Sequence, residues 1–163
     1  MVQEIYIIDD TTKTIDKIKE IFKEEENEYK FSNITTSEIE IALRNIPSLI
    51  IINEDNVTKD IIELCNMIRA NEDNSITPII VESSNPTKEH IFEVMKTSVE
   101  YYVLKPVDDQ YLYYIVKNLM RLMYVNRRVS PLTGLPGNVQ IHAEMKKRVL
   151  NREEFAVLYF DLD

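Results

Sequence analysis

Short apolar runs alternate with amphipathic segments along the first 125 residues of the chain. The runs have strand length and are rich in β-branched and aromatic residues, and they predict strands at residues 4–8, 29–34, 48–52, 78–82 and 100–104. The segments between them carry apolar residues at helical spacing, as Ile15, Ile18 and Phe22 do. Because the apolar runs do not alternate in polarity, we expect a parallel sheet covered by helices on both faces.

The second of these helices has a start signal in the sequence. Ser37 and Glu40 have the spacing of a capping box, which predicts a helix beginning there. Ile39, Leu43 and Ile46 follow at helical spacing and would form its apolar face.

Polar side chains follow several of the predicted strands. Right-handed crossovers place the carboxyl ends of parallel strands along one edge of the sheet, where ligands gather. The residues at that edge are Asp9, Asp10, Asn53, Glu54, Asp55, Ser83, Ser84, Lys105 and Pro106. Carboxylates beside a lysine and a hydroxyl are typical of a magnesium-assisted phosphoryl site.

Five motifs occur in the order and spacing of a known family: "YIIDD", "PSLIIIN", "CNMIR", "TPIIVESS" and "YYVLKPVD". Together they resemble the receiver domain of two-component response regulators over residues 1–125. The resemblance implies a doubly wound, flavodoxin-like five-stranded parallel sheet of order 2-1-3-4-5.

The same resemblance implies the roles of the edge residues. Asp9 and Asp10 would be the acidic pair that holds magnesium, and Ser83 the hydroxyl that senses phosphate. Tyr102 would be the aromatic switch residue and Lys105 the lysine of the site. The Lys105–Pro106 peptide bond would be cis.

Asn53 departs from the family pattern, because the phosphoacceptor there is an aspartate. The motif "PSLIIIN" matches that pattern without a gap, so we expect Asn53 at the acceptor position. An amide oxygen is a poor nucleophile, and the metal site loses one negative ligand. We therefore predict a degenerate receiver whose magnesium binding is weak or absent. The alternative is a phosphorylatable receiver that uses Glu54 or Asp55 as its acceptor.

The pattern of residues 108–128 predicts one long helix. A set of residues spaced alternately by four and three could form a seam for pairing with another helix: Leu112, Val116, Leu119, Met123 and Asn126. Ile115 and Leu122 lie beside this seam and would face the sheet. The alternative is an amphipathic last helix packed on its own domain, which accounts for the first half of the pattern.

The motif "SPLTGLPGN" at residues 130–138, followed by "FAVLYFDLD" at residues 155–163, resembles the opening of a GGDEF-type diguanylate cyclase domain. The resemblance implies that Asp161 is a metal-binding position, although Ser130 stands where that family has an aspartate. The defining Gly-Gly-(Asp/Glu)-Glu-Phe turn is absent. We therefore expect a receiver-like domain at 1–125, and a linker with a truncated cyclase start at 126–163.

This organisation predicts what the chain does. The 163 residues should have no catalytic activity, whereas an intact parent would convert GTP to cyclic di-GMP and require magnesium. The receiver would control dimerisation of that output domain, as a homodimer formed through its last helix and the face of its fourth helix. Its partner would be a sensor kinase or another signalling protein.

Composition limits the other classes of partner. The chain has 28 acidic and 19 basic residues and a formal charge of −9, which argues against nucleic acid and anionic membrane as partners. The single cysteine, Cys65, forms no internal disulfide and fits a helical core position. No apolar run reaches the ~18 residues of a membrane span, so we expect a cytoplasmic protein.

Overall fold

The computed structural model describes residues 2–126 and 137–158. Its centre is a five-stranded parallel sheet with the strand order β2-β1-β3-β4-β5. The strands are β1 Gln3–Ile8, β2 Tyr29–Ile34, β3 Leu49–Asn53, β4 Ile79–Ser83 and β5 Tyr101–Leu104. Each predicted strand is present within one residue of its predicted bounds, and the doubly wound α/β prediction is confirmed.

Helices follow the strands. They are α1 Lys13–Ile21, α2 Ile39–Ala42, α3 Ile61–Ala70, α4 Lys88–Met95, α5 Asp109–Asn126 and α6 Asn138–Leu150, with short 3-10 helices at Lys23–Glu25 and Glu54–Asn56. None of the helices in the described ranges is long and apolar enough to cross a membrane.

Alternate side chains of each strand enter two separate apolar layers, as the two-residue period of a strand requires. Ile5, Ile7 and Ile51 lie in the layer that contains the buried side chains of α1 and α5. Their neighbours along the same strands, such as Ile50 and Ile52, lie in the layer built with α2, α3 and α4. These two layers hold the strands rigidly, so the polar residues at their carboxyl ends have fixed positions.

The predicted capping box of the second helix is wrong. Helix α2 has Glu38 at its N-cap and no capping bond from a side chain. The Ser37 hydroxyl pairs instead with Thr35 Oγ1 at 3.0 Å, and the Glu38 carboxylate accepts the Thr35 N–H at 3.1 Å. These side chains are therefore hydrogen-bonded within the turn before the helix and do not cap the helix. Ile46 lies past the helix end and is exposed.

Helix α5 packs on its own domain over its first half. Leu112, Val116 and Leu119 are buried in the layer shared with α1, together with Ile115. These positions are therefore not free to pair with a second helix, and the packing alternative is confirmed for this half. Leu122 is 49% exposed, so the prediction that it faces the sheet is wrong.

The chain divides into two compact units, Met1–Met120 and Arg121–Asp163. In the second unit, α6 carries an ion pair between Arg148 and Glu144 at 2.9 Å. Residues 155–158, the described start of the motif "FAVLYFDLD", form neither a helix nor a strand. Ser130 and Asp161 lie outside the described residues, and the predicted domain boundary at residue 125 stays a prediction.

Candidate functional site

Three buried polar residues meet at the carboxyl edge of the sheet. Asp9 follows β1, Asn53 ends the neighbouring strand β3, and Thr14 lies in the first turn of α1. They are 0%, 3% and 6% exposed. The Asn53 amide nitrogen donates to Asp9 Oδ2 at 3.2 Å and to Thr14 Oγ1 at 2.8 Å. We call Asp9, Thr14 and Asn53 the floor of the site.

The Asn53 side chain contacts the Asp9 carboxylate on one side and the Lys105 ammonium group on the other. Its carbonyl oxygen Oδ1 accepts from the Lys105 ammonium group and from the Asp55 N–H at 3.2 Å. Asn53 therefore lies between Asp9 and Lys105, with its side chain directed into the site. A carboxylate in this place could accept from Lys105 but could not donate to Asp9.

Asp9 is surrounded by neutral donors. Thr11 donates to it through N–H at 2.6 Å and through its hydroxyl at 2.7 Å, and Thr14 donates from its own hydroxyl. Asn53 and Asn56 add amide donors. Burial opposes ionisation of Asp9, but the hydrogen bonds from Thr14 and Thr11 outweigh it and lower the pKa of this carboxyl.

Asp10 has a different set of donors from Asp9. Its carboxylate accepts the Thr36 N–H at 2.7 Å, the Thr36 hydroxyl and the Thr58 N–H at 2.9 Å. Burial would raise the pKa of Asp10, but these hydrogen bonds lower it. The predicted acidic pair is thus split between two donor sets.

Protein donors compete with a magnesium ion for the oxygens of Asp9 and Asp10. Among the residues that the structure describes, no three acid, histidine or cysteine side chains are grouped so that they could hold a metal. The oxygens of Asp9 and Asp10 are already taken by protein donors. The assignment of magnesium to this pair, weak or absent, stays a prediction.

A second polar cluster lies at the solvent-facing edge. Asp55 Oδ1 accepts the Ser83 hydroxyl at 2.9 Å and the Ser84 N–H at 3.1 Å. Asp55 Oδ2 accepts the Ser84 hydroxyl at 2.6 Å and the Lys105 ammonium at 3.0 Å. Burial opposes the charge, but the bonds from Ser84, Lys105 and Ser83 hold the pKa of Asp55 well below its usual range. We call Ser83, Ser84 and Lys105 the rim donors.

Lys105 connects the floor to the rim. Besides Asn53 and Asp55, its ammonium lies 3.5 Å from the Glu82 carboxylate, which is 7% exposed. Burial raises the pKa of Glu82, and the nearby Lys105 only partly offsets this. The Lys105–Pro106 peptide bond is cis, as predicted.

Glu54 and Tyr102 belong to a separate cluster. The Tyr102 hydroxyl donates to the Glu54 carboxylate, whose other oxygen contacts His90 Nε2 in α4. Burial, followed by the bond to Glu54, raises the pKa of Tyr102. The predicted switch residue is thus tied to the loop after β3 and, through Glu54, to α4.

Sequence reasoning missed several residues that complete these clusters: Thr14, Thr36, Asn56, Thr58 and His90. Only Thr14 had a usable signal, because it follows Asp9 by five residues and must lie at the start of the first helix. The others come from loops or from a distant helix.

A cavity of about 550 Å³ opens beside the rim. Its lining includes Lys13, Lys17, Lys105, Asn53, Glu82 and Ser84. Three lysines around one cavity make it locally basic in a chain of charge −9, although Lys17 is also paired with Asp109 at 3.2 Å. The cavity gives small anions a route to Lys105.

Comparison with protein-family models and with curated proteins finds no match for this chain. Solved structures do match. The signal receiver domain of a histidine kinase from Clostridium thermocellum has a TM-score of 0.66 and 24% identity, over 74% of this chain and 99% of that chain. The chemotaxis response regulator CheY4 of Vibrio cholerae has a TM-score of 0.63 and 13% identity, over 73% and 99%.

A third structure is the receiver domain of the sensor histidine kinase PA1611 from Pseudomonas aeruginosa, with a magnesium ion coordinated in its active site cleft. It has a TM-score of 0.62 and 19% identity, over 74% of this chain and 99% of that chain. The similarities cover nearly the whole of each of the three chains. The first unit of this chain therefore has the CheY-like fold of receiver domains.

Proposed function

We propose that residues 1–125 form a receiver-type module of two-component signalling that works without phosphorylation of Asn53. The observation that carries this is the Asn53 amide, which donates to Asp9 and accepts from Lys105 at the buried floor. A neutral amide in that place has no carboxylate oxygen to attack a phosphoryl donor. The module then signals through protein contacts, as a population shift between two arrangements.

The test is an amide NMR spectrum of the 163-residue chain with magnesium and beryllofluoride, a mimic of an acyl phosphate. We expect no shift at Ser83 or Tyr102. The Asn53→Asp variant restores the carboxylate and serves as the positive control, with shifts at both residues. A shift of the wild-type Ser83 amide that saturates with beryllofluoride would refute the proposal.

A second candidate is phosphorylation of Asp55. Its carboxylate is ionised, contacts Lys105 and is 30% exposed. Acetyl phosphate would transfer its phosphoryl group to an Asp55 oxygen and release acetate. A gain of about 80 Da in intact mass, absent in Asp55→Asn, would establish this function. Glu54 is the weaker acceptor, because its side chain is only 16% exposed, against 30% for Asp55.

We further propose that the module acts as a homodimer through α4 and α5. Exposed apolar side chains support this surface: Phe92 and Met95 on α4, and Tyr111 and Tyr114 on α5. Light scattering should give a dimer mass for the wild type and a monomer mass for Phe92→Asp. Ile41→Asp, on an equally exposed position of α2, is the matched control and should leave the dimer intact.

The output that we propose is a diguanylate cyclase that requires magnesium. The support is the resemblance of residues 130–138 and 155–163 to the opening of that domain, including Asp161 as its metal-binding position. We expect no GTP turnover by the 163 residues alone. The coding region that follows residue 163 tests the proposal: a Gly-Gly-(Asp/Glu)-Glu-Phe turn would support it, and its absence would overturn it.

A further inference from the structure

The two oxygens of the Asp55 carboxylate receive four donors. Oδ1 accepts the Ser83 hydroxyl and the Ser84 N–H, and Oδ2 accepts the Ser84 hydroxyl and the Lys105 ammonium, all between 2.6 and 3.1 Å. A cation, two hydroxyls and a backbone N–H that converge on one point are the chemistry that binds small oxyanions. Here the anion belongs to the same chain.

The donors and the acceptor come from different parts of the fold. Ser83 ends β4, and Lys105 directly follows β5, so the sheet fixes both donors. Asp55 lies in the 3-10 helix Glu54–Asn56, outside the sheet. The donors are therefore preorganised, and Asp55 reaches them as a side chain attached through a short loop.

Ser84 shows how much the rim depends on this contact. The residue is exposed, and its backbone N–H donates to the Asp55 carboxylate. Its hydroxyl donates to the same carboxylate. Without Asp55, the hydroxyl and the N–H of Ser84 would face solvent, and Lys105 would lose one of the two carboxylates that it pairs with and keep Glu82.

We propose that Asp55 acts as a tethered ligand of the rim donors Ser83, Ser84 and Lys105 and thereby closes this position to free phosphate. The inference rests on the proposed function in one respect, since Asn53 forms no acyl phosphate that could supply the anion instead.

Because Asp55 is tethered, we expect it to outcompete free anions for the rim donors. A group held on a short loop has an effective concentration on the order of millimolar or higher, and its binding costs little further ordering. Free phosphate at similar concentration would have to lose its own water and freedom. Removal of the Asp55 carboxylate should therefore open the site to phosphate, which can approach through the cavity lined by Lys13 and Lys17.

The experiment is a titration of the 163-residue Asp55→Ala variant with inorganic phosphate, followed by the amide shifts of Ser83 and Ser84. We expect saturable shifts at both amides and an affinity at least about tenfold above that of the wild type, the effect of one charge-assisted contact made available. Equal affinity of the wild type, or no shifts in the variant, would overturn the proposal.

Two controls separate the site from simple charge effects. Asp73→Ala makes the same change in net charge at an exposed loop position and should behave as the wild type does. Adding Lys105→Ala to Asp55→Ala should abolish the gained binding. Phosphate binding that is gained in Asp73→Ala, or that survives the loss of Lys105, would contradict the assignment of the donors.

A measurement on the wild type keeps the test valid if Asp55→Ala does not fold. The Ser84 amide should exchange with solvent at least about tenfold more slowly than an unbonded exposed amide, because it is bonded to Asp55. Fast exchange would overturn the proposal. A saturable beryllofluoride shift of the wild-type Ser83 amide, with slow exchange of the Ser84 amide retained before the addition, would instead overturn the proposed function, so the two failures are distinguishable.

Discussion

The floor and the rim of this site each hold an aspartate, but with different partners. Asp9 at the floor is fully buried, and its donors among the described residues are neutral threonines and asparagines. Asp55 at the rim is 30% exposed and has the Lys105 ammonium at 3.0 Å. Both charges accept hydrogen bonds from neutral donors, and the exposed charge of Asp55 has a cation in addition.

The difference shows what Asn53 contributes. A second carboxylate at residue 53 would lie about as close to Asp9 as the present amide nitrogen, at 3.2 Å, and two buried like charges at that distance repel strongly. The amide nitrogen instead donates to Asp9, and the amide oxygen accepts a hydrogen bond from Lys105. One neutral side chain therefore satisfies both Asp9 and Lys105.

The largest effect should come from Asn53→Asp, which removes this difference. The variant replaces a donor to Asp9 by a second buried carboxylate, and we expect a loss of about 3 kcal/mol in the free energy of unfolding in the absence of divalent cations. Magnesium should restore part of the loss, because it would neutralise the paired carboxylates. Urea unfolding with and without magnesium measures both.

Asn118→Asp is the control for that comparison. It makes the same change in charge at an exposed position of α5 and should shift the free energy of unfolding by less than about 0.5 kcal/mol. If Asn53→Asp were as stable as Asn118→Asp without magnesium, Asp9 would not depend on the amide.

A matched pair of hydroxyl deletions compares the two regions directly. Thr14 and Ser84 each donate one hydroxyl to an aspartate, Thr14 at the buried floor and Ser84 at the exposed rim. Thr14→Val leaves Asp9 and Asn53 short of a buried partner and should cost about 2 kcal/mol, whereas Ser84→Ala should cost about 0.5 kcal/mol. Equal losses in thermal or urea unfolding would show that burial does not set the difference.

The acid limb of the stability curve should depend on both regions. The pKa values of Asp9 and Asp55 are lowered in the folded chain, so each group stabilises the fold above its ordinary pKa of 3.8. That stability is lost as the pH falls through the lowered folded values. Unfolding measured from pH 5 to pH 2 should therefore show a falling free energy, with a smaller slope in Asp55→Ala; an unchanged slope would contradict the pKa shift.

The smallest effect, with the opposite sign, belongs to Glu82. Burial raises its pKa above 4.5, so its contribution is present at lower pH and is lost as the pH rises through the raised value. Glu82→Gln cannot ionise and should show no such loss between pH 4 and pH 7. A pH dependence equal to that of the wild type would show that Lys105 fully neutralises Glu82.

The strands could be predicted from the sequence because buried parallel strands are dense in isoleucine and valine, and the sheet order placed Asp9, Asn53, Ser83 and Lys105 at one edge. The direction of the side chains in the loops could not be predicted. Asp10 has a different set of donors from Asp9, because Thr36 and Thr58 donate to it.

The two residues after Asn53 illustrate the same limit. Glu54 and Asp55 are neighbours in sequence, yet Glu54 bonds to Tyr102 and Asp55 to Ser84. Their directions follow from the backbone of the 3-10 helix Glu54–Asn56, which a strand pattern does not predict. The sequence therefore left either residue open as an acceptor, and the contacts separate their roles.

The side-chain amide of Asn53 tests the central claim most directly. In a 15N-labelled chain, its two Nδ2 protons are identified by their loss in Asn53→Asp. Since the amide nitrogen donates to both Asp9 and Thr14, we predict that these protons exchange slowly with solvent and do not shift when magnesium is added. Rapid exchange, or a saturable shift with magnesium, would show that a cation and not the amide holds Asp9 in place.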